Sequence, residues 1–143
     1  MPTVNKSIIV PYTPAQMYTL VNDIPAYPEF VPACQRAEII SQDNDEIMAK
    51  MYFASHGFEK SFSTCNRLQK DKMIEVRLLD GPFKHLEGFW RFESHGQGCE
   101  VILDMEFEFS SKLIGMMFGP VFIQVTTTLV EAFKKRAEQI YAR

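Results

Sequence analysis

The stretch from residue 34 to residue 109 constrains the fold of this chain more than any other part. It consists of five or six short runs in which apolar and polar residues tend to alternate, as they do in half-buried strands. Segments of turn-forming residues separate the runs, at 42–45, 69–72, 80–82 and 95–98. Because connections this short join antiparallel neighbours, the sequence predicts an antiparallel meander.

The last of these runs is the clearest strand. Every second residue from 101 to 109 is apolar, and acidic residues lie at positions between them. Successive side chains of a strand point to opposite faces, so one row is predicted to face a core and the other to face solvent. The apolar row is Val101, Leu103, Met105, Phe107 and Phe109, and the acidic row is Asp104, Glu106 and Glu108.

A strand and a short helix are predicted to precede the meander. The run from Val4 to Val10 is β-prone. Thr13 is followed three residues later by Gln16, the spacing of a capping box, which predicts a helix that ends near Asn22. Three prolines between residues 23 and 32 leave room for a helix of one turn at most.

After residue 110 the apolar pattern changes to helical spacing. A lid-like helix is predicted from Lys112 to Phe118, and Gly119-Pro120 is predicted to start a second, long helix. One face of that helix is predicted to contain Val121, Val125, Leu129, Ala132, Arg136 and Ile140. The fold class is therefore predicted to be α+β, with a curved antiparallel sheet that wraps a long C-terminal helix. Residues 1–143 form one domain, and the gap between sheet and helix is a candidate ligand cavity.

Several segments spread over the whole chain carry a family resemblance, most specifically residues 79–92. They are Val10–Tyr12, Met17–Asp23, Tyr27–Cys34, Leu79–Lys84, Leu86, Gly88, Trp90, Phe92, Phe107–Phe109, Ala132-Phe133 and Arg136-Ala137. In these residues the chain resembles the coenzyme-Q-binding START-like family of the polyketide cyclase and lipid-transport superfamily. Bacterial members of that family are often called RatA-type ribosome association toxins. The resemblance implies a helix-grip fold that binds a hydrophobic ligand, ubiquinone or a related isoprenoid lipid, in support of respiratory quinone function. Alternatively, it implies a toxin that binds the large ribosomal subunit and blocks subunit association.

The cavity face is predicted from strand parity and helix spacing. It consists of Met51, Phe53, Phe62, Val76, Leu78, Trp90, Leu103, Met105 and Phe107 on the sheet, and Val121, Val125 and Leu129 on the helix. The same residues also fit a plain packed core, which parity alone does not separate from a cavity. Lys60 shares a strand face with Phe62, so it is either a donor to a quinone carbonyl or a strand-end lysine that reaches water. Gly88 beside Trp90 leaves room for a ligand or for a bend in the sheet.

Composition and motifs argue against an enzyme, a metal centre and a DNA-binding protein. The formal net charge of -3 offers no general attraction to a polyanion. The three cysteines, Cys34, Cys65 and Cys99, include no C-x-x-C pair, and the histidines are far apart, so neither a disulfide framework nor a metal site is predicted. The G-x-S-x-G and H-E-x-x-H motifs are absent. One catalytic alternative is a cyclase or aromatase that uses Lys60 or an assembled Asp80–His85 pair.

Two segments near the C-terminus are candidates for surface contacts. The chain is predicted to be cytoplasmic, because its start lacks a signal-peptide pattern and no apolar stretch reaches about 18 uninterrupted residues. The segment from Leu113 to Phe122 is predicted either to contact the inner membrane as a mobile lid or to cover the cavity as a buried helix. A basic cluster either contacts ribosomal RNA or complements the dipole of the last helix. Its members are Lys134, Lys135, Arg136 and Arg143.

Overall fold

The described residues, 3–55 and 57–141 of a computed structural model, form a seven-stranded antiparallel sheet and two α-helices. The strands are β1 Thr3–Val10, β2 Cys34–Gln42, β3 Glu46–Ser55, β4 Phe58–Gln69, β5 Met73–Asp80, β6 Phe83–His95 and β7 Gly98–Phe109. Their order in the sheet is β1-β7-β6-β5-β4-β3-β2. Six consecutive strands between residues 34 and 109 confirm the predicted meander, and the fold is the predicted α+β helix-grip fold.

Four of the turns in the meander lie at the predicted segments, while the turn between β3 and β4 was not predicted, and two of the four have clear local causes. The Asp43 carboxylate accepts hydrogen bonds from the backbone N–H groups of Asp45 and Glu46, at 2.8 and 2.9 Å, which closes the β2–β3 turn. Between β5 and β6, Gly81 has a φ of 151°, and a Cβ atom there would lie 2.4 Å from the Phe62 Cβ. A residue with a side chain would clash at this turn, so backbone geometry alone explains the glycine.

Helix α1 spans Pro14–Asn22 and begins with the predicted capping box. The Thr13 hydroxyl accepts from the Gln16 backbone N–H at 3.1 Å, and the Gln16 side chain accepts from the Thr13 backbone N–H at 2.9 Å. A 3₁₀ helix of six residues, Ile24–Glu29, follows; at three residues per turn it makes two turns, so the predicted limit of one turn is wrong. The 3₁₀ helix places Tyr27 against the ring of Phe133, with ring centroids 5.5 Å apart.

Helix α2 is continuous from Lys112 to Tyr141, so the predicted break at Gly119-Pro120 is wrong. Pro120 lies inside the helix and removes one backbone N–H, which leaves the Met116 carbonyl without its helical partner. Both residues lie on the exposed side of the helix, where water can bond that carbonyl. The threonines that follow are held in the helix by their hydroxyls, which donate to carbonyls one turn earlier; Thr126, for example, donates to Phe122 at 2.9 Å.

The buried face of α2 is rotated from the predicted one. Ile140 is exposed, and Val121 and Leu129 are half-buried. The face that packs on the sheet instead consists of Phe118, Gly119, Phe122, Val125, Thr126, Val130, Phe133 and Ala137. By length and composition α2 could cross a membrane, with a mean hydropathy of 1.7 over the best window, but 33% of that window is buried in the fold. A core helix passes the same test, so this is weak evidence for a membrane span.

An aromatic cluster joins the N-terminal half of α2 to the sheet. Phe122 packs against Phe107 and Phe83, with ring centroids 4.8 and 5.0 Å away. Phe83 lies on this inner face because the β6–β7 register shifts between residues 83 and 85. A bulge of this kind reverses the face to which a side chain points. Simple alternation along β6 would therefore place Phe83 on the outer face of the sheet.

Candidate functional site

A cavity lies between the inner face of the sheet and helix α2. Its volume is about 70 Å³, and its lining comes from the 3₁₀ segment, β3, β4, β5, β6, β7 and α2. The lining residues are Ile24, Tyr27, Val31, Met51, Phe53, Phe62, Thr64, Asn66, Val76, Leu86, Trp90, Met105, Phe122, Val125, Thr126 and Leu129. None of these side chains carries a charge, which gives an apolar site with a few polar groups, as in pockets for small hydrophobic molecules.

Most of the predicted cavity face lies in this lining. It includes Met51, Phe53, Phe62, Val76, Trp90, Met105, Val125 and Leu129. Trp90 is buried there, with its ring edge against Phe133 at a centroid distance of 5.2 Å. Strand parity and helix spacing therefore place these side chains together correctly, although their role in binding a ligand stays a prediction.

The remaining predicted residues lie elsewhere. Leu103 and Phe107 are fully buried in the core, while Leu78 and Val121 are half-buried at its edge. Lys60, near the start of β4, lines a separate groove that is open to solvent, together with Tyr52 and Pro82. This position corrects the placement of Lys60 beside a cavity carbonyl and agrees with the strand-end alternative.

Sequence reasoning missed three groups of lining residues and, besides them, Leu86. Ile24, Tyr27 and Val31 come from the 3₁₀ segment, whose position against the sheet is a tertiary contact that no local pattern encodes. Thr64 and Asn66 share the inward parity of Phe62 on β4, so strand parity is a signal that could have found them. Phe122 and Thr126 were missed because the predicted helical face was rotated.

The polar groups of the lining are mostly bonded within the protein. The Tyr27 hydroxyl donates to the Val21 carbonyl, and burial raises the pKa of Tyr27, so it stays protonated. The Thr126 hydroxyl donates to the Phe122 carbonyl inside α2. The Thr64 hydroxyl donates to the Asn66 side-chain oxygen at 2.9 Å. Hydrogen-bonded neutral groups are what an apolar interior accommodates without large cost.

The cavity volume limits what can enter without movement of the protein. A cavity of roughly 150 Å³ accepts benzene, so a space of about 70 Å³ holds only a small part of an isoprenoid lipid. Gly88 does not enlarge it, since a Cβ atom there would lie 2.2 Å from the Asp104 carbonyl oxygen of β7. The missing side chain instead allows β6 and β7 to approach closely, which is neither of the two expectations for Gly88.

The outer face of the sheet gathers a second set of ionisable groups. The His85 Nε2 atom lies 3.1 Å from the Glu106 carboxylate and 3.5 Å from the Glu87 carboxylate. Three such ligand atoms could hold a metal ion, but an ion pair explains the same geometry, and all three side chains are partly exposed. The prediction that the protein has no metal site stays untested. Lys60, Asp80 and His85, the catalytic alternatives, lie outside the cavity lining.

The cysteines are three free thiols. Burial raises the pKa of Cys34 and of Cys99 to about 11, so both are protonated at neutral pH. A protonated thiol is a poor nucleophile, so these residues act as small buried side chains.

Comparison with known proteins gives the family. A model of the family described as polyketide cyclase / dehydrase and lipid transport matches residues 10–134. The ribosome association toxin RatA of Escherichia coli is 38% identical over 143 residues, which cover 99% of this chain and 90% of that protein. RatA of Vibrio cholerae is 40% identical and covers 99% of both chains. A mitochondrial coenzyme Q-binding protein of Schizosaccharomyces pombe is 28% identical, covering 92% of this chain and 84% of that protein.

Solved structures give the same fold. The Zhui aromatase/cyclase from a Streptomyces species superposes with a TM-score of 0.82 at 16% identity, covering 96% of this chain and 94% of that one. A START superfamily protein from Mycobacterium smegmatis superposes with a TM-score of 0.79 at 20% identity, covering 96% and 98%. At such identities these likenesses establish the fold alone. The sequence match and the fold together show that the chain belongs to the polyketide cyclase / dehydrase and lipid transport family, with a START-like structure.

Proposed function

We propose that this protein acts as a RatA-type factor that binds the large ribosomal subunit and blocks subunit association. The observation that carries this proposal is the 38–40% identity to proteins named ribosome association toxin RatA, over 99% of the chain. The quinone-binding relative is more distant, at 28% identity. This favours the ribosomal alternative of the sequence analysis over a primary role in respiration.

The basic cluster at the end of α2 is the candidate contact with ribosomal RNA. Arg136 is held within the fold, because it pairs with Glu29 at 2.9 Å and lies over the ring of Phe30. Lys134 and Lys135 lie beside it on α2, and Arg143 is outside the described residues. Lysines near RNA attract phosphates, and such binding weakens as salt rises. The two lysines are therefore the cations of the cluster best suited to an external partner.

Sedimentation with purified large subunits in a sucrose gradient at low salt tests the ribosomal proposal. We expect the protein to co-sediment, and we expect Lys134→Glu/Lys135→Glu to reduce the bound fraction. The matched control is Lys70→Glu/Lys72→Glu in the β4–β5 turn, which makes the same change of charge outside the basic cluster. An absence of co-sedimentation would reject the ribosomal function, and equal losses in both variants would reject the basic cluster as its contact.

We propose, as a second function, that the cavity binds a neutral hydrophobic ligand such as ubiquinone without chemical turnover. The supporting observation is the uncharged lining around Trp90, which gives a quinone ring or an isoprenoid chain an apolar site but offers no charged acid or base. The small volume means that α2 or the lining side chains must move when a ligand enters. Met51 and Met105, with their flexible side chains, are suited to such movement.

Fluorescence of Trp90 tests this second function, since it is the single tryptophan of the chain. Quinones accept electrons, so a short-chain ubiquinone in contact with the indole should quench it in a saturable way. Phe53→Ala, which changes the lining, should shift the midpoint. Quenching that rises linearly, as in free collisions, would contradict binding at this cavity. A native mass spectrum of protein from its own host would show a bound lipid by its mass.

We also propose that the protein is cytoplasmic and meets the inner membrane through the N-terminal half of α2. Leu113, Met116, Met117 and Ile123 are exposed there, at 63, 69, 49 and 43%. No charged residue lies between Lys112 and Glu131. An exposed apolar helical face of this kind can lie in the interface of a bilayer.

A further inference from the structure

One polar pair lies in the otherwise apolar wall of the cavity. Thr64 and Asn66 both face the cavity from β4 and are 1% and 9% exposed. The Thr64 hydroxyl donates to the Asn66 side-chain oxygen at 2.9 Å. In this arrangement the oxygen end of the amide faces Thr64, and the Asn66 Nδ2 group, with its two N–H donors, points elsewhere.

The Asn66 amide nitrogen has no hydrogen-bond partner among residues 3–55 and 57–141. Among the described residues, one side-chain polar atom is both without a hydrogen-bond partner and inaccessible to solvent, and that atom is the Asn22 oxygen. The Asn66 nitrogen therefore borders accessible space, and the space that Asn66 lines is the cavity. The indole N–H of Trp90, in the same lining, likewise has no partner in the described part of the chain. Buried donors are costly to leave unpaired, so both favour an incoming acceptor.

The charge of the lining restricts that acceptor further. Every lining side chain is neutral, so a carboxylate or an ammonium group in the cavity would have no counter-ion. Placing an unpaired charge in an apolar site is far more costly than placing a neutral carbonyl there. The site therefore selects against fatty-acid anions and in favour of neutral molecules that offer an oxygen acceptor.

We propose that Asn66 is the polar anchor of the cavity, and that its side-chain N–H donates to a carbonyl oxygen of a neutral hydrophobic ligand. Thr64 is a positioning residue that holds the amide in the donating orientation. Trp90 lies in the same wall, where its indole N–H can supply a second donor. This inference rests on the proposed binding of a hydrophobic ligand, and it names the chemical group that the ligand must carry.

A set of three small probes tests the anchor. They are 2-methyl-1,4-naphthoquinone, 2-methylnaphthalene, which has a similar shape but no carbonyl, and the anion 2-naphthoate, with affinities measured by equilibrium dialysis at neutral pH. The wild-type protein should bind the quinone roughly tenfold more tightly than the hydrocarbon, as one hydrogen bond of about 1.4 kcal/mol gives. The anion should bind more weakly than the quinone.

Asn66→Leu should abolish the preference for the quinone while it preserves binding of the hydrocarbon. If this variant is unstable because the Thr64 hydroxyl loses its acceptor, Thr64→Val/Asn66→Leu removes both polar partners and should give the same result. If these variants still prefer the quinone, or if the anion binds tightly, the proposal that Asn66 anchors the ligand is wrong. If the wild-type protein binds none of the probes, the proposed ligand-binding function itself fails.

Discussion

The two halves of helix α2 differ in what they present to solvent. Residues 124–141 form an ordinary amphipathic helix, with Val130, Phe133 and Ala137 buried and charged residues such as Glu131 and Lys135 exposed. Residues 112–123 bury Phe118 and Phe122 but expose Met116 and other apolar side chains on the opposite side. Apart from Ile140, burial in the fold accounts for the large apolar side chains of the C-terminal half, but it accounts for only part of those in the N-terminal half. The exposed remainder is the region where an external partner is expected.

The largest expected effect is in the C-terminal half, at Phe133. Its ring is fully buried against Tyr27, Phe30 and Trp90, with centroid distances of 5.1–5.5 Å. Phe133→Ala should lower the free energy of unfolding by about 3–5 kcal/mol, because it leaves a cavity in a packed core. Urea unfolding followed by far-UV circular dichroism measures this. The control is Ile140→Ala, at a half-exposed position of the same half, where about 0.5 kcal/mol or less is expected. A loss below about 1 kcal/mol for Phe133→Ala would contradict the packing described.

A smaller effect of opposite sign is expected at Pro120, in the N-terminal half. In a helix interior, proline lowers the free energy of unfolding by about 3 kcal/mol relative to alanine. Part of this loss is offset because proline restricts the conformations of the unfolded chain. Pro120→Ala should therefore stabilise the protein by about 2 kcal/mol and raise its melting temperature. Pro14→Ala is the matched control, since Pro14 occupies the first helical position of α1 and should give no gain. Destabilisation by Pro120→Ala would show that the fold depends on the proline's local geometry.

The smallest effect on stability is expected from the exposed apolar side chains. Leu113→Ser/Met116→Ser/Met117→Ser should change the free energy of unfolding by only about 0.5 kcal/mol per site. The same variant should lower binding to phosphatidylglycerol vesicles by roughly tenfold or more if this half lies in the bilayer interface. The control Ile9→Ser/Ile40→Ser/Leu79→Ser removes exposed apolar side chains from the sheet instead. Equal vesicle binding by wild type and both variants would remove the membrane proposal.

Local sequence patterns predicted the elements and much of the candidate site. The alternation in β7, the turn segments and the capping box at Thr13 all act within a few residues, so each can be read without knowing the rest of the fold. Strand parity also brought Phe53, Phe62 and Trp90 to one face. Parity alone would misplace Phe83, because a bulge in β6 reverses its side-chain direction.

The sequence by itself determined the period of each element, the start and end of α1, most of the turns between strands, and the face of most strands. The tertiary structure decided the rotation of α2. Apolar residues lie around much of its N-terminal half, so the local pattern does not show which of them are buried. Contact with Phe83, Phe107 and Phe109 of the sheet selects Phe118 and Phe122. The tertiary structure also kept α2 continuous through Pro120, since burial of one face holds a helix that local propensity would break. The polar pair of Thr64 and Asn66 faces the interior for a related reason. Sheet register fixes the direction of a side chain whatever its polarity, and hydrogen bonding then makes that burial tolerable.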